Sequence, residues 1–164
     1  DVRRAGEVFG VMRRARHVGK LVLSVPSVVD VGGGGWVVVS GASGVLGGVV
    51  ARHVVAERGV RRLLLLSRRG EDAPGVEGLV AELESAGAEV RIAACDVADR
   101  DALAGVLSSL EGGVSGVVHA AGVLDDVMVE SLSAERLAGV LAAKVTGAWN
   151  LHELTLNRGV RWFV

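Results

Sequence analysis

From Trp36 onwards, short apolar segments alternate with longer amphipathic ones, and this alternation constrains the fold more than any other feature. The apolar segments predict strands at Trp36–Ser40, Arg62–Ser67, Glu89–Ala94 and Gly116–Ala120, with a fifth beginning near Arg161. The segments between them predict helices near Val45–Arg58, Gly75–Ala86, Arg100–Leu110 and Ser133–Thr155. Strands that are apolar throughout are covered on both faces, and right-handed crossovers through helices make them parallel. We therefore expect an α/β fold with a doubly wound parallel sheet.

The first 35 residues do not continue this alternation. Residues 5–17 place Val8, Val11 and Met12 on one helical face opposite arginines, and residues 19–26 predict a strand that ends at a proline. A glycine-rich stretch, residues 27–35, follows and predicts a linker. One helix and one strand cannot bury a core alone. We therefore expect residues 1–26 and residues 36–164 to belong to different domains.

Charge and composition exclude several classes of function. The net charge is −1, so nothing favours nucleic acid or an anionic membrane as a partner. No apolar run approaches the roughly 20 residues that span a bilayer, and the N-terminus lacks the apolar core of a signal peptide. The single cysteine, Cys95, fits a reducing compartment, and the histidines have no metal-ligand spacing with it. We expect a cytoplasmic protein without a metal site.

A glycine triad follows the first predicted strand and opens the first predicted helix of this series. Gly41, Gly44 and Gly47 have the spacing G-x-x-G-x-x-G, and Ser43 lies within it. A phosphate at such a turn binds free backbone N–H groups and the positive end of the helix dipole. The same spacing also fits a tight turn that binds nothing. The position between strand and helix favours a dinucleotide site.

The end of the second strand indicates which dinucleotide would bind. An NAD site usually has an acidic residue there, whereas a 2′-phosphate favours arginine. Here the strand ends in Ser67 and Arg68, and the first acidic residue is Glu71. The alternative is that the arginine is simply solvated in a loop. Together with the glycine turn, the pair predicts NADPH.

Five segments occur in the order GASGVLG, LLLLSRRG, AACDVADRDAL, VVHAAGVLDD and KVTGAWNLHEL. In this order they closely resemble the catalytic half of a ketoreductase domain from a modular type I polyketide synthase, a branch of the short-chain dehydrogenase/reductase superfamily. The resemblance covers residues 36–164 and implies a Rossmann-type fold that stops after the start of its fifth strand. Residues 1–26 similarly resemble the C-terminal tail of an enoylreductase domain, which implies a fully reducing module.

The resemblance also assigns cofactor contacts residue by residue. The pyrophosphate would lie against Gly41, Ser43, Gly44, Val45, Leu46 and Gly47, and the 2′-phosphate against Ser67 and Arg68. Asp96 and Val97 would contact the adenine, although Asp96 taken alone also fits a helix cap or a turn. The backbone at Ala120, Ala121 and Gly122 would pass the nicotinamide ribose. His119, which precedes them, is assigned no acid or base role.

Two further motifs concern the substrate and the chemistry. Leu124-Asp125-Asp126 resembles the fingerprint of B-type ketoreductases, in which this loop orients the polyketide; the aspartates also fit capping of the next segment. Lys144, mid-helix, would be the catalytic lysine, lowering the pKa of a tyrosine that acts as general acid. The chain contains no tyrosine, so the catalytic serine, tyrosine and asparagine are expected beyond Val164.

The resemblance therefore implies hydride transfer from NADPH to a β-ketoacyl thioester. The partners would be an acyl carrier protein, which holds that chain on phosphopantetheine, and the remaining ketoreductase and enoylreductase parts of the same polypeptide. An alternative is an inactive ketoreductase-like module that serves as a scaffold. A stand-alone dehydrogenase is disfavoured by the enoylreductase-like N-terminus.

Overall fold

The architecture is a five-stranded parallel sheet with helices on both faces. The computed structural model describes residues 4–15, 18–22, 31 and 34–164. The strands are β1 Trp36–Ser40, β2 Arg62–Ser67, β3 Glu89–Ala94, β4 Val114–His119 and β5 Trp162–Phe163. They are arranged in the order β3-β2-β1-β4-β5. The predicted doubly wound fold is confirmed.

Helices connect the strands and cover the sheet. They are α1 Ala5–Arg13, α2 Val45–Ala56, α3 Val76–Ser85, α4 Arg100–Ser108, α5 Ala134–Leu141 and α6 Gly147–Thr155. Short 3₁₀ turns lie at Gly70–Asp72 and Val129–Ser131, and a π-helical turn, Ala142–Thr146, joins α5 to α6. The first three predicted strands have the predicted bounds, whereas β4 begins and ends slightly earlier than expected.

Alternate residues of each strand face opposite layers of the core. On one face, strand residues pack with α2 and α3; this cluster includes Val37, Val39, Leu63, Leu65, Ala51, Val54, Leu79 and Leu83. On the other face, strand residues pack with α4 and α6; this cluster includes Trp36, Val38, Leu64, Leu66, Leu103, Leu107 and Leu151. Because both faces are buried, the strands contain few polar residues.

The N-terminal segment differs from its prediction. The helix predicted over residues 5–17 ends at Arg13, and Ala15 follows in the left-handed region at φ 48°, which a helix cannot continue through. Residues 18–22 form no strand, so that part of the predicted strand is wrong; no described strand pairs with them, and an unpaired strand leaves its backbone groups unsatisfied. Residues 23–26 lie outside the described residues.

Candidate functional site

The carboxyl ends of four neighbouring strands meet at one edge of the sheet. Ser40 of β1 pairs in register with Leu66 and His119, and Ser67 of β2 pairs with Ala94. A cleft of about 210 Å³ opens above them. Its walls contain predicted cofactor residues from every one of these strand ends: Gly41, Ser43, Gly44, Ser67, Arg68, Asp96, Val97, Ala120, Ala121 and Gly122.

The glycine turn is built by close backbone approach. Gly41 has φ 69°, and a Cβ there would lie 2.6 Å from the Ala120 carbonyl oxygen. A Cβ at Gly47 would overlap the Gly41 carbonyl oxygen and lie 2.8 Å from Ala42 Cα, so the helix packs directly on the turn. Both positions therefore require glycine.

The first turn of α2 faces outward. Gly44 is the residue before the helix, and no side chain caps the free N–H groups there. Val45 and Leu46 are 84% and 72% exposed and lie outside the cleft wall, while Gly47 is buried beneath the turn. The uncapped N-terminus of α2 therefore adjoins the cleft, where Ser43 and Gly44 are part of the wall.

The end of β2 carries an unsatisfied hydroxyl. Ser67 Oγ is buried and has no hydrogen-bond partner among the residues that the structure describes. Arg68, next to it, is exposed and forms no ion pair within the described part of the chain. The chain then turns back at Gly70, where φ is 53° and a Cβ would lie 2.9 Å from the Ala94 backbone nitrogen. Buried polar groups are nearly always paired, so this hydroxyl is available to a polar ligand or a water molecule in the cleft.

Asp96 forms a turn rather than a helix cap. The N–H of Ala98 donates to Asp96 Oδ1 over 2.9 Å, whereas α4 is capped by Asp99, which accepts from the N–H groups of Asp101 and Ala102. Of the two alternatives raised for Asp96 alone, the structure has the turn. Cys95 beside it is a buried free thiol. Burial, more than the nearby charges of Asp99 and Asp96, raises the pKa of this thiol.

Asn150 of α6 fixes the backbone that follows β3. Its Nδ2 donates to the carbonyl oxygens of Val97, over 3.0 Å, and Ala98, over 3.1 Å, and the side chain is buried. Sequence reasoning missed this residue because its partners lie more than fifty residues away. The signal available was an amide at an apolar-periodic position of a helix.

Leu124, Asp125, Asp126 and Lys144 line a second cleft of about 180 Å³. Its lining residues adjoin those of the first cleft along the chain, at Gly122–Val123 and at Ala143–Lys144. Asp125 forms an ion pair with Arg136 of α5 at 2.5 Å. Ser133 caps α5, so Asp125 holds the loop against that helix instead of capping it.

Lys144 does not lie in a regular α-helix. The single helix predicted over Ser133–Thr155 is interrupted by the π-helical turn Ala142–Thr146, in which the Gly147 N–H donates to the Ala142 carbonyl five residues back. Apolar periodicity cannot detect a single wide turn, because the helical pattern resumes immediately after it. Such turns are frequent at functional sites.

His119 connects the end of the sheet to this turn. Its Nδ1 lies 2.7 Å from Ser40 Oγ, and its Nε2 lies 3.0 Å from the Ala143 carbonyl oxygen. Burial lowers the pKa of His119 from its ordinary value of 6.5 and outweighs the backbone hydrogen bonds, which raise it. The folded protein therefore favours the neutral ring.

Stability should depend on pH through His119. Below pH 6.5 the unfolded chain binds a proton here that the folded chain resists, so the free energy of unfolding should fall as pH drops from about 7.5 to 5.5. Urea unfolding at both pH values measures this fall. We expect it to be smaller in His119→Gln, which cannot titrate; an equal fall in both proteins would contradict the assignment.

Metal sites and membrane-spanning helices are absent from the part of the chain that the structure describes. Among the residues that the structure describes, no group of three histidine, cysteine, aspartate or glutamate side chains is arranged to hold a metal ion. In the described ranges, no helix is long and apolar enough to cross a bilayer.

Comparisons with known proteins agree with this geometry. Residues 35–164 match the KR domain family. The chain is 56% identical over 153 residues to erythronolide synthase EryA2 of Saccharopolyspora erythraea, covering 93% of this chain and 4% of that protein. Among solved structures, A-type ketoreductases from a modular polyketide synthase match with a TM-score of 0.76 and 45% identity, over 85% of this chain and 31% of theirs.

A more distant structure shares the fold alone. It is a short-chain dehydrogenase from Mycobacterium paratuberculosis bound to NAD, with a TM-score of 0.68 and 22% identity, over 77% of this chain and 51% of that one. The chain thus spans only a small part of the synthase that it matches. The chain has five parallel strands with a glycine turn at the sheet edge, which is the short-chain dehydrogenase/reductase fold, and a family match over residues 35–164. It therefore belongs to the KR domain family, the ketoreductases of modular polyketide synthases.

Proposed function

We propose that this chain is the NADPH-binding part of a ketoreductase that reduces a β-ketoacyl thioester held by an acyl carrier protein. The product would be a β-hydroxyacyl thioester, in which the carbonyl carbon has gained a hydride and the oxygen a proton. NADPH supplies the hydride when bound. The residues of this chain would hold the cofactor, orient the substrate loop and support the proton transfer.

The observation that carries the proposal is the unpartnered Ser67 hydroxyl in a cleft whose other walls suit a dinucleotide. The uncapped start of α2 offers backbone N–H groups to the pyrophosphate. Asp96 and Val97 lie across the cleft, where the adenine would bind, and Ala120, Ala121 and Gly122 leave room for the nicotinamide ribose. The residues present therefore fit the group.

NADPH is preferred over NADH in this proposal because of Ser67 and Arg68. Arg68 is exposed and forms no ion pair with any described residue, so it is available to a 2′-phosphate, and the hydroxyl of Ser67 beside it supplies a second donor. The cleft contains one carboxylate, Asp96, which follows β3 and not β2. No acidic residue at the end of β2 competes for the position of the phosphate.

Lys144 would support proton transfer to the developing alkoxide through a tyrosine that these 164 residues do not contain. Its ammonium would lower the pKa of that phenol. Since no tyrosine is present, we expect the chain alone to bind NADPH without reducing a ketone.

The loop Leu124-Asp125-Asp126 would guide the polyketide with B-type stereochemistry. The proposal is supported by the motif and by its position in the cleft that Lys144 also lines. The similar solved ketoreductases quoted above are A-type, so the assignment rests on the motif and not on the similarity in fold. The configuration of the β-hydroxyl product of the complete ketoreductase tests this assignment directly.

Residues 1–26 would be the tail of a preceding enoylreductase, joined by the linker 27–35 to the ketoreductase part, 36–164. In support, α1 has no buried residue, and Phe9 and Met12 are 63% and 48% exposed, as expected for a helix that packs against another domain. In the parent polypeptide, acyl carrier protein and the remaining ketoreductase and enoylreductase parts would be its partners. Such a multidomain enzyme would act in the cytoplasm.

Binding and turnover test the proposal separately. Calorimetric titration of the chain should give measurable NADPH binding, and a chain that binds neither NADPH nor NADH would instead favour the scaffold alternative. In the complete ketoreductase, Lys144→Ala should lower the rate with a β-ketoacyl thioester by about a hundredfold or more while NADPH binding persists. An unchanged rate would refute the role of Lys144.

A further inference from the structure

His119 lies between three segments that are far apart in sequence. It is the last residue of β4, and it contacts Ser40 at the end of β1 and Ala143 in the π-helical turn. Ser40 is fully buried, and His119 itself is partly buried. No role in the proposed reaction uses this side chain.

The hydrogen bonds define which ring nitrogen carries the proton. A backbone carbonyl only accepts, so Nε2 of His119 must donate to the Ala143 oxygen at 3.0 Å. In the neutral ring Nδ1 is then an acceptor, and the hydroxyl of Ser40 donates to it over 2.7 Å. Both edges of the ring are thus fixed by directional contacts.

Packing on the other side leaves the turn little freedom. A Cβ at Gly147 would lie 3.3 Å from Cε1 of His119 and 2.6 Å from Cγ2 of Val97, so the start of α6 rests directly on both side chains. From the side of the sheet, the π-helical turn is therefore held at Ala143 by its hydrogen bond to His119 and at Gly147 by close contact.

Lys144 follows the bonded carbonyl directly. Its side chain extends past the backbone that leaves β4, where a Cβ at Gly122 would lie 3.4 Å from Lys144 Cε and 3.9 Å from its Cγ. Rotation of the Ala143 peptide would swing the Lys144 side chain away from Gly122, which is in the wall of the cofactor cleft.

We propose that His119 is a positioning residue for Lys144: through the Ala143 carbonyl it holds the π-helical turn so that the Lys144 side chain lies with its Cε beside Gly122, a residue in the wall of the cofactor cleft. This rests on the proposed role of Lys144. The competing explanation is that the ring only fills the space between β4 and the turn.

The chain offers a direct probe, because Lys20 and Lys144 are its only lysines. Reductive ¹³C-methylation of the full chain labels both lysines and the N-terminal amino group, and Lys144→Arg identifies the signal of Lys144 by its loss. His119→Gln keeps a donor at the Nε2 position. His119→Asn keeps an acceptor for Ser40 and loses that donor, so the two amides form a matched pair.

We expect the Lys144 signal to keep its native position in His119→Gln and to shift towards its position in the urea-unfolded chain in His119→Asn. An unchanged signal in His119→Asn, or an equal shift in both variants, would overturn the proposal. The ring of the wild-type chain gives a second measurement without any variant: ¹⁵N spectra should show the Nε2–H tautomer, and the Nδ1–H tautomer would overturn it.

NADPH titration of the same samples keeps the two proposals distinguishable. If the unmodified wild-type chain failed to bind NADPH, this would count against the proposed function. The shift of the Lys144 signal would still decide whether His119 positions Lys144. Normal NADPH binding with an unmoved Lys144 signal in His119→Asn would reject the positioning role alone.

Discussion

Arg68→Ala should weaken NADPH binding at least tenfold and leave NADH binding nearly unchanged. A charge-assisted hydrogen bond contributes about 1.5–3 kcal/mol, and about 1.4 kcal/mol corresponds to a factor of ten. Arg68 is exposed, lines the cleft and forms no ion pair within the described residues, so its removal disturbs no other contact that would affect both cofactors. The measurement is a calorimetric titration of wild-type and variant chains with each cofactor.

Arg69 provides the matched control. It is the next residue, equally exposed, and it is absent from the wall of the cleft. Arg69→Ala removes the same charge a few ångströms away, so it measures the general loss of positive potential. If both variants weakened NADPH equally, long-range attraction would explain the effect and the specific contact of Arg68 would be wrong. Equal losses for NADPH and NADH in Arg68→Ala would also reject the 2′-phosphate assignment.

The sheet was predictable because its central strands, β1, β2 and β4, are buried on both faces. A segment such as Leu63–Leu66 has no polar residue and is bounded by arginine and serine, so its ends are sharp in the sequence. The carboxyl ends of parallel strands must also share one edge. This explains why Ser67, predicted from the end of β2, lines one cleft with Asp96 and Ala120, which the family resemblance assigned.

Contacts between distant segments were not predictable in the same way. Asn150 bonds to Val97, and His119 bonds to Ala143, across 53 and 24 residues. No periodic pattern records which side chain reaches which carbonyl. The ion pair between Asp125 and Arg136 could not be predicted either, because both residues look like ordinary surface charges in the sequence.

Gly47→Ala should produce a large loss of stability. The added Cβ would overlap the Gly41 carbonyl oxygen and approach Ala42 Cα to 2.8 Å, and neither is a flexible side chain that can move away. Overpacking typically costs about 1–3 kcal/mol, and this clash is with backbone, so we expect about 3 kcal/mol. In a chain of this size that corresponds to a Tm lower by roughly 6–12 °C.

Gly48→Ala on the same helix separates steric overlap from the general effect of replacing glycine. Its Cβ would meet Nη1 of Arg52 at 3.2 Å, the movable end of an exposed side chain. Alanine also favours the helix by about 1 kcal/mol over glycine, so Gly48→Ala should be neutral or slightly stabilising. Differential scanning calorimetry of both variants decides the matter, because equal Tm values would mean that α2 does not pack on the turn as closely as the structure requires.

NADPH binding should respond to Gly47→Ala even below its Tm. The turn can relieve the overlap only by moving Gly41 or Ala42 away from α2, and Gly41 is already packed against Ala120. Moving Gly41 would widen the distance between the N–H groups at the start of α2 and the opposite wall of the cleft. A bound pyrophosphate needs those N–H groups at hydrogen-bond distance. We expect NADPH and NADH to lose affinity together in this variant, in contrast to the selective loss in Arg68→Ala.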